Sequence, residues 1–197
     1  MDLTARTITT LHDQANTRWH ALQPDPVEGD GTFYSTVVAQ HRANYELWHA
    51  EDLARSPLAQ DSEIAAAKRL IDTTNQRRND LTERIDELLL AEVPENPASA
   101  HAELHSETPG LIIDRLSILS LKLYHTGEEI ARPDAPSGHA ERNQGRLAVL
   151  QAQRDDLSGC LDQLWSALLR GDRRFKIYRQ LKMYNDPALN PVLYNPT

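Results

Sequence analysis

Cysteine occurs once in the 197 residues, at Cys160, so no intrachain disulfide can staple the chain. Glycine is also scarce, at 8 residues, and β-branched residues do not gather into alternating runs, so a strand-rich fold is not expected. No apolar run approaches the roughly 20 residues needed to span a bilayer. Residues 1–10 lack the apolar stretch of a secretory signal. A Gly-rich phosphate loop, a serine nucleophile elbow and paired zinc cysteines are all missing. These absences set aside a disulfide-framed module and a membrane span, and they lead us to expect a cytoplasmic location.

What remains is ordinary globular material, with 40% hydrophobic and 25% charged residues. Leu, Ala, Arg, Glu and Gln dominate, and all of them favour helix. Net charge is −8, yet Arg170 to Lys182 carries six basic residues and one acid. Without that segment the chain holds 15 basic against 28 acidic residues, or −13. An acidic chain is a poor bulk nucleic-acid binder, although a local basic face can meet a phosphate or an acidic protein surface.

Periodicity and punctuation place helices at about 3–22, 33–55, 62–91, 109–124 and 139–170, with a short basic helix at about 172–184. Thr32 or Asp30 is expected to cap the second and Asp61 the third. Thr108-Pro109 pairs a capping hydroxyl with proline at the first helical position, and Gly171 suits a C-cap. Loops are expected at 92–108 and 126–138, and an extended tail from Asp186. The fold class expected is all-α: one domain, an antiparallel bundle of about five to six helices with long connecting loops. Leu147, Leu150, Arg154, Leu157, Leu161, Leu164 and Leu168 form a heptad seam, which would also serve a homodimer.

One seam member is an arginine, and a guanidinium in a core needs carboxylates. The second helix repeats the theme, with His41 and Asp52 in the stripe Tyr34, Val38, His41, Tyr45, Trp48, Asp52. The third helix is apolar at both ends but polar between Ile71 and Leu81. The fourth adds Asp114, Arg115, Ser117, Lys122 and His125 around Ile112, Leu116, Leu119 and Leu123. Two readings stand side by side: an interior site for a polar ligand, and a network of ion pairs and amide bonds that fixes helix register.

Individual motifs are weak. Glu46-x-x-His49 has the spacing of carboxylate-bridged di-metal bundles but lacks a second copy. His49-x-x-Asp52 offers two ligands on one face. No complete metal set is assigned, and the cofactor is left open. His101-x-x-x-His105 lies in the proline-flanked connection and reads as surface loop. Cys160 is expected to be a buried, inert thiol. Backbone N–H groups near Gly110 and Leu111 could accept an anion.

Three segments, NYELWHAEDLAR (Asn44–Arg55), SETPGLIIDRLSILSLKLYH (Ser106–His125) and RRFKIYRQLKMYNDPALNP (Arg173–Pro191), together resemble the bacterial domain-of-unknown-function family 4254. The resemblance covers roughly 30–191 and implies a helical protein encoded near glycosyltransferases and other genes of polysaccharide or natural-product assembly. It implies a bundle core at 30–185, with residues 1–22 as a variable cap. Asn44, His49, Glu51, Asp52, Asp114, Arg115, Lys122, His125, Lys176, Arg179 and Lys182 belong to its pattern. We therefore expect His49 as acid/base or ligand, with Glu51 and Asp52 as carboxylate partners. Asn44, Asp114, Arg115, Lys122, His125, Arg154, Lys176, Arg179 and Lys182 would hold an anionic, phosphosugar-like substrate. The alternative is a non-enzymatic accessory protein that docks on a glycosyltransferase.

Overall fold

A computed structural model describes residues 3–27, 29–95, 101–179 and 188–189. Five helices carry it: α1 (Ala5–His20), α2 (Phe33–Ala54), α3 (Asp61–Glu92), α4 (Pro109–Ala131) and α5 (His139–Arg170). The fold is an all-α bundle. Val37 of α2 meets Ile85 and Leu89 of α3 in the main core, while Ala50 and Leu47 meet Ile71 near the connecting turn. The two helices therefore run antiparallel. Likewise Ile112 and Leu116 of α4 pack with Leu161 and Leu168 of α5, and Glu129 reaches His139 across the next turn. α1 lies against α4, α2 and α5.

Local signals explain most boundaries. Thr4 and Thr108 accept from the backbone of Thr7 and Leu111, capping α1 and α4. Gly171 closes α5 in the left-handed region at φ 79. At α3 the cap falls on Gln60 rather than Asp61, because Glu63 reaches back to the Gln60 N–H at 2.8 Å. α4 runs past Tyr124 to Ala131, so the first six residues of the expected 126–138 loop are helical. Glu128, Glu129, Ile130 and Ala131 continue the helix, and Pro133 forces its end.

The expected basic helix at 172–184 is not formed in the described part. Residues 173–174 form a short strand (β2) parallel to Glu103–Leu104 (β1), and 175–179 are irregular. The cause is local. Arg173 pairs with Glu103 at 2.6 Å, Arg174 Nε donates to the Ala102 carbonyl at 2.8 Å, and buried Phe175 anchors in the main core. Those contacts hold the chain extended straight after the Gly171 stop. The remainder of that expected helix, with Lys182, lies outside the described residues, as does most of the tail.

The heptad seam is half realised. Leu161, Leu164 and Leu168 are buried and are joined by Trp165, whereas Leu147, Leu150 and Leu157 are only partly covered. Arg154 is not in the core: its side chain is 24% exposed and it clamps Asp13 of α1 at 2.9 and 3.1 Å. Cys160 is exposed, a correction to the buried thiol expected, because it lies off the Leu161 side of α5.

Candidate functional site

The polar residues at mid-height of the helices fall into two arrangements. The first is a hydrogen-bonded row through the bundle interior. Asn44 Nδ2 donates to Asp114 Oδ1 at 2.9 Å and to Ser117 Oγ at 2.8 Å. Ser117 Oγ lies 2.7 Å from His41 Nδ1. His41 Nε2 faces two acceptors, the His12 carbonyl at 3.1 Å and Asn16 Oδ1 at 3.0 Å, so it carries the hydrogen and Nδ1 accepts from Ser117. Asn16 Nδ2 donates to Ser120 at 2.8 Å, and Ser120 donates to Asp13 at 2.7 Å. At each step from Asn44 onward one donor points towards Asp13. Burial keeps His41 neutral and pushes its pKa down to about 3. His12 stacks on it at 4.5 Å, and burial holds its pKa well below the usual histidine range too. Both ring nitrogens of His12 are buried without a hydrogen-bond partner among the described residues.

The row ends against a cleft of about 290 Å³ between α2, α3 and α4, whose walls include Asn44, Trp48, Asp52, Arg55, Asn75 and Arg78. Arg78 also borders a smaller cleft of about 190 Å³ beneath Tyr178 and Arg179. Its buried Nε lies 3.6 Å from Asp114 Oδ1 and makes no hydrogen bond among the described residues. Gln40 also donates to Asp114, which crowds that carboxylate with donors. A third cleft, of about 470 Å³ between α4 and α5, is lined by Arg115, Lys122, Gln153 and Asp156 and shares Ile118 with the first.

The second arrangement is a histidine cluster. His20 ends α1, His49 lies on α2 and His125 on α4; one ring nitrogen from each falls within 4.8 Å of the others. His20 stacks on Tyr124 at 4.2 Å and Trp48 stacks on His125 at 4.7 Å. Partial burial and then the neighbouring imidazoles of His125 and His20 lower the His49 pKa.

The expected site residues are thus divided. Asn44 and Asp114 meet in the buried row. His49 is exposed and joins His125, but the neighbours it finds are imidazoles rather than Glu51. Glu51 pairs with Arg55 at 2.8 Å, since two residues along a helix point to different faces. Asp52 lines the first cleft, close enough to be felt by His49. Arg115 pairs with Glu107 at 2.8 Å and lines the third cleft with Lys122. Arg154 serves Asp13. Lys176 and Arg179 are exposed on the irregular segment, Arg179 being 4.0 Å from Glu87. Glu46 pairs with Arg77 and not with His49. The α4 N-terminus is not open to an anion: Asp86 Oδ1 takes the Gly110 N–H at 2.7 Å and Thr108 takes that of Leu111 at 3.2 Å.

Sequence reasoning did not single out His12, Asn16, His20, Arg78 or Asp86. The α1 residues lie in the segment outside the three motifs. Arg78 hides in a polar run, and Asp86 sits beside the apolar Ile85. A family model described as "Protein of unknown function (DUF4254)" matches residues 34–177. No curated protein and no solved structure shows significant similarity to the chain.

Proposed function

We propose, from the premise that the chain belongs to the DUF4254 family, that it binds a polar small molecule in the cleft between α2, α3 and α4. One observation carries this reading: Arg78, whose buried Nε lacks a hydrogen bond while its guanidinium borders two clefts. A cation held at such a junction fits an anionic group of a ligand. Asn44 and Asn75 offer amide partners to hydroxyls, and Trp48 offers a flat apolar wall of the kind sugar rings use. Acidic Glu51 and Asp52 favour a ligand rich in hydroxyls over a bare polyanion. A sugar phosphate matches this mixture, and it agrees with the glycan or specialised-metabolite assembly that the family resemblance suggests. Asp52 on the cleft wall and His49, which feels its charge, would be the groups available for proton transfer.

The test is a binding screen of sugar phosphates and nucleotide sugars, read by calorimetry, with the wild type and Arg78→Gln. At least one compound should bind the wild type, and Arg78→Gln should weaken it at least about 10-fold, the loss of one charge-assisted contact. Absence of binding to the whole panel, or equal affinity in Arg78→Gln, overturns the reading.

The exposed segment with Lys176, Tyr178 and Arg179 supports the second reading, an accessory protein that docks on a glycosyltransferase. Tyr178 is 57% exposed between cations, and aromatic residues with basic neighbours are common anchors of protein interfaces. That reading needs no small molecule and survives Arg78→Gln unchanged.

A further inference from the structure

We infer that His20, His49 and His125 form a binding site for one divalent transition metal ion of the zinc class. The inference shares His49 with the ligand reading above but does not rest on it.

Tautomers make the first argument. His20 Nδ1 lies 2.8 Å from the Asn16 carbonyl, which can only accept, so Nδ1 carries the hydrogen. His125 Nδ1 lies 2.8 Å from Glu128 Oε2, and the carboxylate imposes the same tautomer. In both neutral rings the lone pair is therefore on Nε2. Both Nε2 atoms are buried, and neither has a hydrogen-bond partner among the described residues. A buried acceptor without a donor is costly, and two of them beside a third imidazole are hard to explain by packing alone. A metal ion removes that cost for both at once.

The surrounding contacts are those of a metal site. Metal-bound histidines characteristically pass their other N–H to a carbonyl or carboxylate, which fixes the ring and raises its basicity. Asn16 and Glu128 do this here. The ring planes of the three histidines are inclined to one another by 61° to 83°, with centroids 5.1 to 5.7 Å apart. The three rings thus meet edge to face, with one nitrogen of each within 4.8 Å of the others. A tetrahedral ion with metal–nitrogen bonds of about 2.05 Å needs nitrogens about 3.3 Å apart. The nitrogens lie within 4.8 Å of one another, so binding draws the rings together by up to about 1.5 Å, a shift that falls on exposed His49. Neutral imidazole suits zinc and its first-row neighbours, whereas calcium and magnesium prefer oxygen. Three protein ligands and an exposed side leave a fourth position for water or substrate, the arrangement of reactive rather than purely structural zinc. Trp48 and Asp52 link the cluster to the cleft.

The experiment uses the full chain without an affinity tag. Metal-free protein is titrated with zinc in the presence of a competing chelator, and separately with cobalt(II), whose visible spectrum reports tetrahedral coordination. One equivalent per chain and intense tetrahedral bands are expected. His49→Ala removes an exposed ligand with little risk to folding and should weaken zinc binding at least about 100-fold. Glu128→Gln should weaken it about 10-fold through loss of the orienting carboxylate. His101→Ala, on the surface loop, should change nothing. Substoichiometric uptake, octahedral cobalt spectra, or equal affinity in wild type and His49→Ala would each overturn the site.

Discussion

Gly110 shows how tightly one residue is constrained. A Cβ there would meet Asp86 Oδ1 at 2.7 Å, its Cγ at 2.8 Å and the Thr82 carbonyl at 2.8 Å. Glycine within a helix normally costs about 1 kcal/mol relative to alanine, so Gly→Ala is usually stabilising. Here the sign inverts. The methyl would collide with backbone, and would push Asp86 off the Gly110 N–H and the Thr108 hydroxyl that it satisfies. We expect Gly110→Ala to destabilise by about 2 kcal/mol, lowering Tm by about 6 °C in a thermal melt. An unchanged or higher Tm would show that α4 can slide away from α3. Asp86 carries its own cost. Burial raises its pKa to about 6 even though Thr108 and Gly110 donate to it.

Among the elements, α1 is the one that the sequence undersells. It lies outside the matched residues 34–177, yet it supplies His12, Asn16 and Trp19 to the interior and His20 to the histidine cluster. Leu3, Ile8 and Trp19 are almost fully buried, and each such side chain contributes about 1.5–3 kcal/mol. Their sum rivals the roughly 5–15 kcal/mol that holds a domain together. A chain starting at Asp30 should therefore show no cooperative unfolding transition by calorimetry; a sharp transition would make α1 a dispensable cap. The helices themselves were legible because their ends carry chemistry: Thr108-Pro109 opens α4, and Gly171 closes α5. The 173–174 strand was not, since its partner at 103–104 lies far away in sequence and Arg-rich stretches favour helix when read alone. The polar row was legible as separate anomalies on α2 and α4. Their pairing was not, because hydrogen bonds between helices leave no local periodic trace. Arg154 illustrates the limit: the seam predicted a carboxylate partner, and Asp13 of α1 is found, but nothing local names it.

For the molecule as a whole, acid is the informative variable. His12 and His41 are buried neutral, with pKa values far below the 6.5 of an unfolded chain. Between about pH 4 and 6 the unfolded state binds their protons and the folded state does not, so stability rises with pH. Asp86 acts oppositely: its raised pKa makes the folded state the better proton binder until about pH 6. Two histidines against one carboxylate leave stability rising with pH in this window. Urea melts at pH 4.5 and 5.5 should show it, and Asp86→Asn should steepen it. A flat profile would mean that the histidine pair is hydrated or protonated in the fold.

The interior row from Asn44 to Asp13 has a consequence beyond its bond energies. Its members cannot choose their orientations separately. Turning over the Asn16 amide would set donor against donor at His41 and acceptor against acceptor at Ser120. The whole row is one binary variable, like a compass needle built from five side chains on three helices. A carboxylate holds it at each end, Asp114 where the row starts and Asp13 where it surfaces. Because an ionised carboxylate accepts and never donates, Asp114 fixes the Asn44 amide at the wall of the cleft while Asp13 fixes Ser120 at the surface, and the two ends agree on one orientation for the row.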